Sequence, residues 1–165
     1  MEIRESSTQD LDAVFALYQR VAETPGGLAR LVDEISPGYV SGFLERAHES
    51  GLSLVSVDDG RIVGEIHAYS PQLYCFSHVW SELTIAVDPS AQGQGIGRAL
   101  FVEFMRRVDA RDGLDRVELI ARESNQRAIE FYKTLGFRQE GRFEARIRNV
   151  DNSVEADIPM AWLRR

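Results

Sequence analysis

The stretch AVDPSAQGQGIGRAL, Ala86 to Leu100, places three glycines at alternate positions between an apolar run and a helix-like apolar pattern. They are Gly93, Gly95 and Gly97. Glycine in a folded element costs roughly 0.5–1 kcal/mol relative to alanine, so this cluster indicates a turn whose backbone a ligand approaches closely. Free amides at a helix start, together with the helix dipole, favour negative charge. The sequence therefore predicts that a phosphate binds at this turn.

Two common phosphate motifs do not fit the turn. The dinucleotide-binding fingerprint runs G-x-G-x-x-G, whereas these glycines run G-x-G-x-G. The P-loop requires Gly-Lys-Ser/Thr, which does not follow here. A dinucleotide-binding oxidoreductase is therefore a remote alternative, and it predicts binding of NAD.

Length and composition predict a single domain, residues 1–165, in which 44% hydrophobic content can cover a sheet with helices. The net charge of −7 argues against nucleic-acid binding and mildly favours cationic substrates. Cys75 is the only cysteine, so the chain can form neither an internal disulfide nor a paired-cysteine zinc site, and we predict no metal. The polar amino terminus and the absence of a long apolar run predict a cytoplasmic protein without membrane association.

The amino-terminal third shows two helix signals. Ser7 and Asp10 have the spacing of a capping box, which opens an amphipathic helix that should stop near Pro25. A second helix should begin at Ser36-Pro37, because proline suits the first helical turn.

Three strands should precede the glycines. The runs LSLVSV and RIVGEIHAYS flank an Asp59-Gly60 turn, the strongest short hairpin signal. The run WSELTIAV should be the third strand, with Leu83, Ile85 and Val87 on one face.

The patterns after the glycines predict a helix, a strand RVELIA, and a further helix capped by Ser124 and stopped at Gly136. The inward face of that helix should contain Ala128, Tyr132 and Leu135. The tail is interpreted as a hairpin of residues Phe137–Phe143 and Val154–Trp162, with Asp151-Asn152 near its turn. The predicted fold class is α/β (α+β), with a single mixed, largely antiparallel sheet of about six to seven strands and about four helices.

Two segments resemble those of one known family. Gln92-x-x-Gly95-x-Gly97, between the strand ELTIAVDP and Arg98, is similar to the acetyl-CoA pyrophosphate loop of the GNAT superfamily of N-acetyltransferases. The second segment, ESNQRAIEFYKTLGF, matches the family at Asn125, Ala128, Phe131, Tyr132, Gly136 and Phe137. The order of predicted elements agrees over nearly the whole chain. The resemblance is greatest to bacterial amino-group acetyltransferases of the ribosomal-protein-alanine and small-molecule types.

The resemblance implies acetyl-CoA as co-substrate and a GNAT fold. In the family, the pantetheine arm lies along the strand before the loop, and the loop amides bind the pyrophosphate. The implied cofactor-binding residues are Ile85, Ala86, Val87, Gln92, Gly93, Gln94, Gly95, Ile96, Gly97, Arg98 and Asn125.

Acetyl transfer to an amine requires a neutral amine, a stabilised oxyanion and a proton for the departing thiolate. Tyr132 resembles the family's general acid; the alternative is an ordinary core tyrosine. Glu82 matches a position at which relatives often carry a base that acts directly or through water; the alternative is a glutamate paired with a neighbouring arginine. Glu65 is the second candidate base. The ribosomal-protein type carries a glutamate where this chain has Ile120, which is a departure from that pattern.

We therefore expect an acetyl-CoA-dependent N-acetyltransferase that works by direct attack in a ternary complex. The acceptor is a small-molecule amine, an amino acid or a protein or peptide N-terminus. The alternative from another class is a non-catalytic acyl-CoA-binding sensor or interaction module. A homodimer is a further hypothesis, which rests on an exposed edge of the carboxy-terminal strand.

Overall fold

The computed structural model describes residues 1–164, which form an eight-stranded sheet flanked by four α-helices. The strands are β1 (Glu2–Glu5), β2 (Gly51–Asp58), β3 (Arg61–Tyr69), β4 (Val79–Val87), β5 (Arg116–Arg122), β6 (Arg138–Gln139), β7 (Phe143–Arg148) and β8 (Val154–Leu163). The helices are α1 (Leu11–Ala22), α2 (Pro37–Ser50), α3 (Ile96–Asp109) and α4 (Gln126–Thr134). The predicted fold class is confirmed, although the sheet has more strands than the six to seven expected. Within residues 1–164, no helix is both long and apolar enough to cross a membrane.

The sheet is opened between its two central strands. The strand order is β1-β2-β3-β4-β5-β8-β6, and β7 also pairs with β8. All of these pairs are antiparallel except β4 with β5, which are parallel. The parallel pair is joined only at Val79 with Arg116 and at Trp80 with Val117. Past these positions the facing edges of β4 and β5 are unpaired, which leaves a gap beside the carboxyl half of β4.

Local signals in the amino-terminal part form the predicted structures. The Ser7 amide donates to Asp10 Oδ2 at 2.7 Å just before α1 begins. The Ser36 hydroxyl caps α2 by accepting from an amide three residues further on, at 3.1 Å. Asp59 and Gly60 have φ values of 46° and 76°, as the tight turn between β2 and β3 requires.

The start of α4 differs from the prediction by one residue. Asn125, not Ser124, is the capping residue, and its Oδ1 accepts from an amide three residues further on at 3.2 Å. Ile129 is the buried residue of this helix, while Tyr132 and Leu135 are half-buried against the same core. The predicted inward face was therefore incomplete, because it left out Ile129, which lies three residues before Tyr132 on the same side of the helix.

The tail hairpin was predicted in part. The predicted segment Phe137–Phe143 does pair with β8, through the two-residue β6 and at Phe143, but the longer partner of β8 is β7, which continues from Phe143 to Arg148. The side chains of β7 are mostly exposed, so the apolar pattern gave no signal for it. Asp151-Asn152 does lie at the turn, between the two strands. Because β8 lies between β5 on one side and β6 and β7 on the other, the carboxy-terminal strand is not an edge, and that basis for a homodimer was wrong.

The sheet has a hydrophobic core on each face. The core on the side of α3 and α4 contains Leu100, Phe101 and Phe104 of α3, and the core on the side of α1 and α2 contains Val14 of α1 and Phe43 of α2, each with other apolar side chains. The alternation predicted for β4 is confirmed, since Leu83, Ile85 and Val87 pack on the α3 side and Ala86 packs on the other. Burial of each large apolar side chain contributes about 1.5–3 kcal/mol. The two cores fix β4 from both faces and leave its β5-facing edge free.

Candidate active site

The glycine-rich turn between β4 and α3 is built from two different uses of glycine. Gly93 and Gly95 have φ values of 79° and 81°, a region that glycine enters without strain, and a Cβ atom at either would meet nothing within 4 Å. Gly97 lies within α3, where a Cβ atom would stand 3.3 Å from Val87 Cγ2. The first two glycines therefore shape the turn, and the third lets α3 lie close against β4.

The backbone amides of this turn are free donors. Within residues 1–164, no amide from Gly93 to Arg98 donates a hydrogen bond to a protein acceptor, and the first bond of α3 runs from Ala99 to the Gly95 carbonyl at 2.9 Å. A helix start leaves such donors unsatisfied, and the helix dipole adds positive potential there. The turn is also largely exposed. It is therefore an anion-binding surface of the kind suited to phosphate.

Asp88 anchors the turn to the rest of the fold. Its carboxylate accepts from the Ser90 amide at 3.0 Å and hydroxyl at 2.6 Å, from Arg20 of α1 at 2.7 Å and from Arg61 of β3 at 2.8 Å. Burial raises the pKa of this carboxyl, but the hydrogen bonds from Ser90 and Arg20 outweigh that effect and hold the pKa below its ordinary value. One buried carboxylate thus ties the beginning of the turn to two neighbouring elements.

The gap-facing edge of β4 presents unpaired peptide groups. The Asp88 amide donates to a β3 carbonyl at 2.9 Å, so by the alternation of an antiparallel pair Ala86 also faces β3. The peptide groups of Ile85 and Val87 therefore face the gap. The Val87 carbonyl has a long contact of 3.4 Å with Nε2 of Gln92. An extended ligand could bind this edge as an additional strand would.

Glu82 lies at a β-bulge in β4. Tyr69 pairs with Ser81 and His67 with Thr84, so β4 has one residue more than β3 over this interval. Glu82 has a φ of 57°, a conformation rare for a non-glycine residue and one that concentrates at functional sites. Its carboxylate is exposed and has no ion pair or hydrogen bond with any residue from 1 to 164. The alternative of a structural glutamate paired with an arginine is thus not what this geometry shows.

Tyr132 presents an unbonded hydroxyl from a packed ring. Its ring centroid lies 5.3 Å from that of Phe101, 5.9 Å from Phe131 and 6.2 Å from Phe137. The hydroxyl makes no hydrogen bond to the part of the chain described. Burial raises the pKa of Tyr132 to about 12. The phenol is therefore protonated at neutral pH and available as a donor.

The remaining predicted cofactor residues surround the glycine turn. Asn125 is exposed and uses Oδ1 as the α4 cap, which leaves its amide nitrogen free. The Arg98 guanidinium lies 5.8 Å from the Phe131 ring centroid, so it extends from the start of α3 towards α4. Ile96 is buried and holds the helix start, and Gln94 is exposed and contacts a loop carbonyl at 3.5 Å. These positions bring one exposed cation beside the free amides.

Glu65, the second candidate base, is fully buried. It accepts hydrogen bonds from the Tyr18 hydroxyl at 2.7 Å and the Ser53 hydroxyl at 2.7 Å, and Nδ1 of His67 lies 3.1 Å away. Burial, reinforced by the Glu65 charge, raises the pKa of Tyr18 well above its ordinary value. His67 is not among the site residues predicted from the sequence. The available signal was two polar residues at alternate positions in the apolar strand RIVGEIHAY.

The opened sheet, the unpaired β4 edge and the free amides beside it define a site for an elongated ligand that carries phosphate. The sequence model of the Acetyltransferase (GNAT) family matches residues 13–137. The chain therefore belongs to the GNAT acetyltransferase family. The acyl donor of this family is acetyl-CoA, and the resemblance noted from the glycine turn and the α4 segment is confirmed.

Individual relatives agree with this membership. A mycothiol acetyltransferase of Thermobifida fusca is 33% identical over 125 residues, which cover 73% of this chain and 32% of that protein. The chain thus spans about a third of the length of that relative. A ribosomal-protein-alanine N-acetyltransferase structure from Brucella melitensis superposes with a TM-score of 0.85 at 22% identity, covering 99% of this chain and 100% of that one. A phosphinothricin acetyltransferase from Sinorhizobium meliloti, solved in complex with AcCoA, has a TM-score of 0.85 at 18% identity and covers 98% and 87% of the two chains.

Proposed function

We propose that this protein transfers acetyl from acetyl-CoA to a primary amine by direct attack in a ternary complex. The observation that carries the proposal is the conjunction of the unpaired β4 edge with the row of free amides that begins at Gly93. The two features lie end to end, as the arm and the pyrophosphate of one ligand require. We also propose a cytoplasmic location, which rests on composition alone.

The residues around the turn fit the acyl donor. The amides of Gly93 to Arg98 would bind the pyrophosphate, with the Arg98 guanidinium adding positive charge. The peptide groups of Ile85 and Val87 would hydrogen-bond to the pantetheine arm. Asn125 would contact the cofactor through its free amide nitrogen. The thioester that acetyl-CoA supplies is the activated acyl group of the reaction.

Three groups of this chain would then serve the transfer. A backbone N–H of β4 would donate to the oxyanion that forms when the thioester is attacked. Tyr132 would donate a proton to the departing thiolate, since its raised pKa keeps the phenol protonated. The exposed carboxylate of Glu82 would receive the acceptor ammonium and take its proton directly or through water.

The acceptor classes that remain in the proposal are a small-molecule amine, an amino acid and a protein N-terminus. The net charge of −7 and the unpaired Glu82 favour a cationic acceptor. Ile120, which is 48% exposed on β5, stands where the ribosomal-protein type has a glutamate, so a panel of acceptors must include small amines as well as peptides.

Thermal melting with acetyl-CoA, CoA or NAD, followed by thiol release against amines and short peptides, tests this function. We expect acetyl-CoA and CoA to raise Tm by several degrees, since a ligand at about 100 times its Kd stabilises by about 2.7 kcal/mol. Thiol release with one acceptor would establish the transfer. Stabilisation with no release from any acceptor would favour the acyl-CoA-binding sensor, and the absence of a shift with acetyl-CoA would refute the proposed site.

A further inference from the structure

A buried polar cluster lies between the sheet and helices α1 and α2. Glu65 and His67 project from the same face of β3 and are 0% and 2% exposed. Tyr18 of α1 and Ser53 of β2 complete the cluster. A buried carboxylate is strongly disfavoured unless it is hydrogen-bonded. The three donors around Glu65 meet that requirement.

The hydrogen bonds around Glu65 fix the proton on one nitrogen of His67. The hydroxyls of Tyr18 and Ser53 donate to the two carboxylate oxygens, and His67 Nδ1 lies 3.1 Å and 3.2 Å from them. An ionised carboxylate only accepts, so beside an ionised Glu65 it is Nδ1 that carries the hydrogen. In the neutral ring, the lone pair is then on Nε2.

The imidazole plane is held by aromatic neighbours. The His67 ring is stacked on Phe43, with centroids 4.0 Å apart and an interplanar angle of 12°, and lies parallel to Tyr69 at 6.0 Å. Within residues 1–164, Nε2 of His67 makes no hydrogen bond. The one side-chain polar atom that is both fully buried and without a hydrogen bond in these residues is Ser56 Oγ. Nε2 is therefore not completely buried, although His67 as a whole is 2% exposed.

The incompletely buried nitrogen belongs to a residue next to the proposed reaction site. His67 pairs with Thr84 of β4, which lies two residues after the Glu82 bulge and directly before Ile85. Neighbouring strands are about 4.8 Å apart, so the imidazole stands one strand away from the unpaired edge of β4. A group that approaches this edge from the α1 and α2 side would meet the His67 position.

We propose that His67 is the base that holds the proton released by the acceptor amine, and that Glu65 and Tyr18 are positioning residues for it. This inference rests on the proposed function and specifies where its proton goes. Imidazole is the side chain whose ordinary pKa lies nearest neutrality, which is the property that a general base requires. Glu82 receives the ammonium at the bulge and takes its proton, directly or through water, and the proton then passes to Nε2 of His67, which holds it.

The proton count closes with this assignment. Nε2 takes one proton from the acceptor ammonium and leaves a neutral amine. The amine nitrogen attacks the thioester carbonyl, so a C–N bond forms and the C–S bond breaks. The thiolate takes the Tyr132 proton, and the second nitrogen proton returns Tyr132 to its protonated form. The imidazolium then releases its proton to solvent, and the products are the amide and CoA thiol.

The titratable and charged groups around this imidazole come from three elements. They are Glu65 and Tyr69 on β3, Tyr18 on α1, and Tyr39 and, beyond the Tyr69 ring, Arg46 on α2. On β4 the residue opposite is Thr84, which does not titrate. Glu65 is thus the one carboxylate in direct contact with the ring, and its replacement tests the electrostatic part of the proposal.

The test compares pH profiles of kcat/KM for the full chain, for His67→Gln and for Glu65→Gln, with the acceptor found in the panel. We expect His67→Gln to lower kcat about 10²-fold at neutral pH and to abolish the acidic limb of the profile. Loss of the Glu65 charge disfavours the imidazolium, so Glu65→Gln should move that limb to lower pH. His48→Gln is the matched control, because His48 is exposed and its ring is hydrogen-bonded to Ser6, away from the cluster, and it should leave the profile unchanged.

Folding defects are separated from chemistry by melting curves and acetyl-CoA affinity measured on each variant. Nitrogen NMR of the unmodified protein adds a measurement without substitution, and it should show His67 protonated on Nδ1 and not on Nε2. An active protein whose acidic limb survives in folded His67→Gln overturns this inference and leaves the proposed function standing. The opposite tautomer also overturns it. A wild-type protein that acetylates no acceptor refutes both.

Discussion

Replacement of Tyr132 by phenylalanine removes one hydroxyl and leaves the ring against Phe101, Phe131 and Phe137. The hydroxyl has no hydrogen-bond partner in residues 1–164, so folding loses no bond and Tm should change by less than about 2 °C. The chemistry should lose its general acid, which is worth about 10²-fold or more in kcat, or about 2.7 kcal/mol of transition-state stabilisation. The KM for acetyl-CoA should be nearly unchanged.

Steady-state thiol release and melting curves measure these effects together. Tyr74→Phe is the matched control, because Tyr74 is 95% exposed on the loop before β4 and should leave both readouts unchanged. Since the pKa of Tyr132 is raised to about 12, its ionisation cannot produce a basic limb below about pH 11 in the wild-type profile. A Tyr132→Phe variant that keeps kcat within about threefold would refute the general-acid assignment.

Gly95→Ala should lower Tm by several degrees, because the φ of 81° at this position costs an alanine about 1–2 kcal/mol. Gly97→Ala should change Tm less, and equal Tm values for the two variants would contradict the role of Gly95 in the turn. Asp88→Asn should lower the free energy of unfolding by about 2–3 kcal/mol and weaken acetyl-CoA binding in titration calorimetry, because Arg20, Arg61 and the Ser90 amide lose the carboxylate to which they donate. Unchanged acetyl-CoA affinity would show that Asp88 does not support the binding site. The pKa of Asp10 is lowered to about 2, mainly by the hydrogen bond from Arg4. The ionised carboxylate therefore stabilises the folded state above about pH 4, the ordinary range of an Asp pKa, and this stabilisation is lost as pH falls towards 2. In urea unfolding, the free energy of unfolding should fall by about 1–2 kcal/mol over this pH range, a value that allows for the partial exposure of Arg4, and the Asp10→Asn variant should not show this fall.

Signals confined to a few neighbouring residues were readable in the sequence. The Asp59-Gly60 turn and the Ser36 cap each follow from local backbone chemistry and form as predicted, and two of the three glycines form a turn directly before α3, whereas the binding of a phosphate there stays a prediction. The tail was harder, because β7 is exposed along most of its length and its pairing depends on β8 rather than on its own pattern. β1 was also missed, since Glu2–Glu5 is short and offers one apolar residue.

The candidate site, like the fold, could be predicted from the sequence only where its residues follow local patterns. The sequence indicated the turn, Tyr132 and Glu82, but no residue type announces that Glu82 adopts a positive φ in a bulge. The pairing of Glu65 with His67 was also hidden, because it depends on Tyr18, which lies 47 residues before Glu65, and on Ser53 of another strand. Contacts between distant segments are set by the packing of α1 and β2 on β3, which local patterns do not encode.

On the proposed function, the short pairing of β4 with β5 would make the cofactor a structural partner as well as a substrate. Two register positions, together with the His78 carbonyl just before β4, join the β1–β4 half of the sheet to the β5–β8 half, and within residues 1–164 β4 and β5 have no further register pairs. On the proposed function, the pantetheine arm bridges the seam, so amide exchange along β4 should slow when acetyl-CoA is present. The turnover of this protein in a cell would then follow the supply of its own acyl donor, because a chain that lacks it opens more often to proteases.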